Sequence, residues 1–370
     1  MNRLVLVGGG HGHLEVLRQF GARPATGVEL VLVNPNRFTL YSGMLPGLVA
    51  GHYRLESVRV DLERLGAFAR ARFLQARATG VDPARRIVTL AAGTPLEFDI
   101  ASIDIGSTPA TSGVPGAADH AVGLKPIGDF LGAWERLFAC AGEGALKRLL
   151  VVGGGAAGIE IALAMQHRIA RETRRVVAFQ LATDADRLLP MHDARVHAIF
   201  ARILAERGVA LHLATPIVRV APGTASAADG SHLDADAIVW ATGAAASPRL
   251  REAGLALDAA GFIAVNESLQ SVSHPHVFAA GDCATMIGHP RPKSGVFAVR
   301  QGPPLAANLR AALEGRPLAR YVPQEHALAL ISTGDRYAVA SRGAWATEGR
   351  WVWRWKDWID RRFVARYARP

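Results

Sequence analysis

Two stretches of this chain combine residue types that can hold a phosphate. The first is Gly8-Gly9-Gly10-His11-Gly12-His13, directly after the apolar run Leu4-Val5-Leu6-Val7. Four apolar residues without polar alternation predict a strand covered on both faces of a parallel sheet. Behind the glycines, Leu14, Leu17 and Phe20 recur on one side, with Glu15, Arg18 and Gln19 on the other, which is helical spacing. Strand, glycine turn and helix together aim free backbone N–H groups and a helix N-terminus at a pyrophosphate. Glycine suits the turn because a side chain would hold the phosphates away. Against the pattern G-x-G-x-x-G, Gly8 and Gly10 match, while His13 stands where the third glycine belongs. The second stretch is complete: Gly153, Gly155 and Gly158 lie between an apolar strand at 149–152 and an Ala/Leu-rich helix.

The strand following each motif should end in an acid that binds ribose hydroxyls. The strand at 28–33 ends instead at Asn34, which accepts a hydrogen bond without a charge. The strand at 176–181 runs into Ala182-Thr183, with Asp184 and Asp186 just beyond. Arg174 and Arg175 sit at the wrong end of that strand for a 2′-phosphate, so NADH and NADPH stay equally open. Metal chemistry is not indicated. Cys140 and Cys283 form no C-x-x-C pair, and His11/His13 and His274/His276 read as loop or core histidines.

The elements that must position these turns are spread over a chain of 370 residues, enough for two or three domains. Apolar runs ending in glycine turns recur at 98–105, 237–240 and 277–280, and helices are expected near 126–141, 196–207 and 296–313. No apolar run approaches the ~18 residues of a membrane span, and no basic leader precedes the first strand, so a cytoplasmic protein is expected. The net charge of +10 comes from 38 arginines and only four lysines against 32 acids, a compositional bias and not a nucleic-acid-binding fold. From Ser341 onward there are eight Arg/Lys and three Asp/Glu. On a helix there, Trp351, Trp355, Trp358, Ile359 and Phe363 share one face, with Arg354, Lys356, Asp357 and Arg361 opposite. That face fits its own chain, a homodimer interface or peripheral contact with a membrane through 351–367, at the inner face in that last case.

Two glycine motifs about one domain apart, followed by Ala279-Ala280-Gly281-Asp282, resemble the FAD-dependent pyridine nucleotide oxidoreductases. Trp240-Ala241-Thr242-Gly243 and Ile105-Gly106-Ser107 look like that family's turns at the domain junction. The stretches 8–13, 41–47, 295–301 and 332–337 are similar to the type II NADH dehydrogenase-like branch. More narrowly, they resemble the flavoprotein half fused to selenide, water dikinase in some bacteria. The redox-active cysteine pair of the disulfide reductases is missing.

The resemblance implies an α/β fold with two Rossmann-like domains and a small C-terminal α+β segment. Residues 1–112 and 264–320 would form a discontinuous FAD domain, 113–263 the NAD(P)H domain, and 321–370 an interface or tail. It further implies FAD contacts at Gly8, Gly10, His11, Asn34, Ser42, Gly43, Gly106, Gly281, Asp282, Phe297 and Gln301. NAD(P)H would meet Gly153, Gly155, Gly158 and Glu160, the last near the nicotinamide. The implied activity is transfer of a hydride from NAD(P)H to the flavin and on to an unidentified acceptor, a quinone being one candidate. No protein acid, base or nucleophile is required for the first half of that reaction. The alternative is a flavin-binding sensor or partner with little turnover, linked in one version to selenium metabolism.

Overall fold

A computed structural model describes residues 2–370. Two five-stranded parallel sheets dominate it; four strands of each run in the same order, and the fifth is added from later in the chain in one and from earlier in the other. In the first, strand Asn2–Val7 lies between Val28–Asn34 and Ile100–Ile103. Arg72–Gln75 forms one edge and Val277–Ala279 the other. In the second, strand Arg148–Val152 lies between Ala178–Ala182 and Ala237–Trp240. Ala210–His212 and Val122–Gly123 form its edges. The central strands are buried throughout their apolar runs, as a sheet covered on both faces requires. Strand Val277–Ala279 closes the first sheet after the chain has built the second, so the first unit is discontinuous in sequence.

Each central strand runs through its glycine turn into a helix, His11–Ala22 in one unit and Ala156–Thr173 in the other. The units are joined by a short antiparallel crossing in which Thr108 pairs with Ala245 and Pro109 with Ala244. The chain then forms helix Gly295–Leu313, a three-stranded antiparallel meander over residues 329–349, and a last helix, Arg350–Ala368.

The last helix corrects the expected facing. Val352, Lys356, Asp360, Val364 and Tyr367 form its buried side, and Trp351 and Trp358 are 53% and 57% exposed. The apolar stripe is thus divided: Phe363 packs on Tyr41 and Trp355 against the meander, while Trp351 and Trp358 face outward. Lys356 and Asp360, one turn apart, go inward together as an ion pair of 2.7 Å, which makes burial of both charges tolerable.

Candidate functional site

The first glycine turn is closed by groups from three elements. Gly8 has φ +96°, and a Cβ there would lie 2.3 Å from the Asp104 carbonyl oxygen, so only glycine serves. The Gly9 amide donates to Asn34 Oδ1 (2.9 Å), whose own amide donates to the Asn36 carbonyl. Asn34 therefore fastens the turn from the end of the neighbouring strand. His13 is fully buried. Its ring spans from the Gly8 carbonyl (Nδ1, 2.6 Å) to Ser102 Oγ (Nε2, 2.8 Å). A carbonyl can only accept, so Nδ1 carries the proton and Nε2 accepts from the serine. Burial holds this imidazole neutral, its pKa lowered to about 4. The missing third glycine is replaced by a hydrogen-bonded strut.

Beneath the same turn lies Asp104, which the sequence reading missed. Its Oδ2 accepts from the amides of Gly12 (2.8 Å) and His13 (3.2 Å). Burial pushes its carboxyl up to about 7, against those two hydrogen bonds. The available signal was a lone polar residue between the buried strand Ile100–Ile103 and Gly106.

The second turn repeats the first with different filling. Gly153 has φ +130° and would meet the Ala241 carbonyl oxygen at 2.5 Å, as Gly8 meets that of Asp104. A Cβ on Gly158 would lie 2.0 Å from the Gly153 carbonyl oxygen, so helix and strand touch. Where the first unit has Asp104 and His13, this one has Ala241 and Gly158. Among the described residues, the amides of 154–158 have no acceptor, whereas in the first turn only that of His11 has none.

Residues from distant parts of the chain meet beyond the first turn. Asp282 Oδ2 pairs with Lys125 Nζ at 2.7 Å, and both reach Ser107 Oγ (3.3 and 2.7 Å). Gly281, at φ +70°, donates its amide to Gln301 Oε1 (2.7 Å). Ser42 lies against Gly295, at the start of the helix that carries Phe297 and Gln301. Gly106, at φ +73°, faces open space. The His11 ring packs on Tyr41 and Phe363 (centroids 5.5 and 5.7 Å), and its Nε2 is buried without a partner. Burial lowers its pKa to about 4, against the pull of Asp282. Lys125, one of only four lysines in the chain, was also missed by sequence reasoning.

A third cluster forms where the last helix meets both units. Glu160 accepts from the Ser332 amide (2.7 Å) and hydroxyl (3.0 Å). Burial raises its pKa, and Lys356 opposes the rise. Lys356 Nζ donates to the Gly43 carbonyl (2.6 Å) as well as pairing with Asp360. A small cavity opens here between Gly43, Gly47, His52, Ser332, Asp335 and Lys356. Of the predicted site residues, Glu160 and Gly43 thus join this cluster. Cys283 is buried against the carbonyls of Ile103 and Ala280, its thiol pushed up to about 12. Cys140 is exposed and also free, so there is no dithiol for disulfide chemistry.

Two parallel sheets with the same four-strand order, each with a glycine turn, define a protein with two dinucleotide-binding units. The sequence profile of the pyridine nucleotide-disulphide oxidoreductases matches residues 2–302, and the chain belongs to that family. It is an oxidoreductase with FAD and NAD(P)H as cofactors. It is 24% identical over 329 residues to the NADH dehydrogenase-like protein YutJ of Bacillus subtilis, covering 88% of this chain and 87% of that one. It is 26% identical over 337 residues to the type II NADH:quinone oxidoreductase of Staphylococcus aureus, covering 85% and 83%. In fold it matches the sulfide:quinone oxidoreductase of Aquifex aeolicus with a TM-score of 0.84 at 17% identity, covering 100% and 92%. It also matches NDH2 of Plasmodium falciparum, solved with NADH, at a TM-score of 0.81 and 14% identity, covering 100% and 99%.

Proposed function

We propose that the chain carries electrons from NAD(P)H through FAD to a quinone. The observation that carries the reading is the duplicated turn with unequal filling. One copy offers five unengaged amides at a helix N-terminus. The other is braced by Asp104, His13 and Asn34 and adjoins the Asp282 cluster.

In this reading residues 1–112 and 264–320 hold FAD, and 113–263 hold NAD(P)H. Gly8, Gly10 and His11 bind the FAD pyrophosphate. The free His11 amide and the orphaned His11 Nε2 suit an oxygen-rich ligand. Asn34 meets the ribose, and Ser42, Gly43, Gly106, Gly281, Asp282, Phe297 and Gln301 border the rest of the cofactor. Lys125 holds the direction of the Asp282 carboxylate through an ion pair of 2.7 Å. Gly153, Gly155 and Gly158 bind the nicotinamide nucleotide. When bound, FAD supplies acceptance of a hydride and its passage onward as electrons.

A quinone needs protons as well as electrons, and the third cluster can hold them. Glu160 and Asp360 both have raised pKa values from burial, and Lys356 lies between them. Residues 321–370 close that cluster and present the acceptor entrance. No helix among the described residues is long and apolar enough to cross a membrane. The exposed Trp351 and Trp358, flanked by Arg354, Arg361 and Arg362, suit peripheral contact with an anionic surface where a quinone is met.

Anaerobic addition of NADH or NADPH to the FAD-loaded protein tests the reading. Bleaching of the flavin band, reversed by a soluble quinone, is the expected result. An unchanged band with FAD bound would overturn it. Asp282→Ala should lose FAD on gel filtration, and a variant that keeps it would contradict the placement of the flavin.

A further inference from the structure

The two glycine turns are near-copies, so their difference is informative. At equivalent places, Asp104 and Ala241 end the strand that packs under the turn, and their carbonyl oxygens stand 2.3 and 2.5 Å from where Gly8 and Gly153 would carry a Cβ. A Cβ on Gly155 would meet nothing within 4 Å, whereas one on Gly10 would lie 2.1 Å from Asp104 Oδ1. A Cβ on Gly281 would lie 2.5 Å from the same oxygen. The carboxyl of Asp104 is therefore wedged between the phosphate-binding turn and the turn that carries Asp282, and it is 3% exposed. Its Oδ2 takes two amide hydrogens of the helix N-terminus.

We propose that Asp104 is a proton-binding element of the FAD site: when the cofactor's pyrophosphate occupies the first glycine turn, one proton from solvent is taken up onto the Asp104 carboxyl. This rests on the assignment of FAD to that turn. A charged carboxyl at 3% exposure beside that turn would repel a pyrophosphate bound there, because burial screens like charges poorly. The proton removes the repulsion. Oδ2 still accepts from Gly12 and His13, so the turn keeps its shape.

The imidazoles and the thiol around the carboxyl do not take over the titration. His11 and His13 on the first helix are held neutral, each lowered to about 4. Asp282 is paired with Lys125. Cys283 is raised to about 12, and the nearby Lys293 is bound to the Ala284 carbonyl and Thr285 Oγ1 (2.8 Å). The free protein's Asp104 is poised about 7. FAD affinity should therefore weaken about tenfold per unit above that pH, as expected when binding takes up one proton.

The test is FAD titration of the apoprotein by flavin fluorescence between pH 6 and 9. The wild-type Kd should rise about 50-fold from pH 7 to 9, approaching the one-proton slope. Asp104→Asn should bind with a pH-independent Kd close to the wild-type value at pH 6. A flat wild-type profile, an Asn variant that follows the wild-type slope, or one that loses FAD at pH 6 would overturn the proposal. If the variant does not fold, proton uptake is counted on wild type in weakly buffered solution at pH 8. One proton per FAD supports the proposal and none overturns it. Wild-type protein that takes no FAD at any pH would instead refute the FAD assignment itself.

Discussion

Replacing His13 by alanine tests how the first turn manages without its third glycine. The ring fills a fully buried site and satisfies the Gly8 carbonyl and the Ser102 hydroxyl. Its removal leaves a cavity and two buried polar atoms without partners. Together these cost about 3–5 kcal/mol at pH 7.5. The cost should depend on pH. The folded imidazole has its pKa lowered from 6.5 to about 4. Its contribution is therefore full above about 6.5 and is lost as pH falls toward 4, because the unfolded chain takes the proton first. At pH 5 the unfolded ring is almost wholly protonated and the folded one about a tenth so, which removes about 2 kcal/mol from the wild type alone. Urea unfolding of both apoproteins, followed by far-ultraviolet circular dichroism at pH 7.5 and 5, measures the difference. The gap between them should shrink by about 2 kcal/mol at the lower pH. An equal gap at both values would refute the neutral, doubly bonded ring.

Three further outcomes follow from the geometry. Gly158→Ala places a Cβ 2.0 Å from the Gly153 carbonyl oxygen. It should weaken NAD(P)H binding at least about tenfold through loss of the close helix–strand approach, with FAD content unchanged; nucleotide titration against the flavin band reads both. Lys356→Met removes the cation that Glu160 and Asp360 share. Flavin reduction by NAD(P)H in stopped flow should keep its rate, while quinone-dependent turnover falls about 10²-fold. Trp351→Ser with Trp358→Ser should abolish co-sedimentation with anionic liposomes at low salt, and wild-type protein that stays in the supernatant would refute the membrane contact.

The two nucleotide units were legible because their signals are local. An unbroken apolar strand, a glycine turn and an amphipathic helix fit within about twenty residues, and the sheets follow from them. Asp282 was singled out by its own short run, Ala279-Ala280-Gly281, but its contacts with Lys125 and Ser107 were not. What escaped was set by distance in sequence. Lys125 is 157 positions from Asp282, and Asp104 is 92 from Gly12. Nothing in either neighbourhood names the partner. The last helix misled for another reason. Its tryptophans dominate any hydrophobic count, yet the body offers polar partners, Gly43 and Tyr41, that suit Lys356 and Asp360. The buried face was therefore chosen by pairing as well as by hydropathy, since Val352 and Val364 share it with Lys356 and Asp360.

That helix has a consequence for how the protein is made. Tyr367 donates to Glu15 within the core (3.0 Å), and Phe363 stacks on Tyr41 beside His11 at 4.1 Å. The glycine turn is written by residue 13, but its surroundings are not assembled until residue 367 exists. A chain emerging from the ribosome thus carries the turn without its cover until residue 367 has been made, so the first unit closes by a contact between residues 352 positions apart.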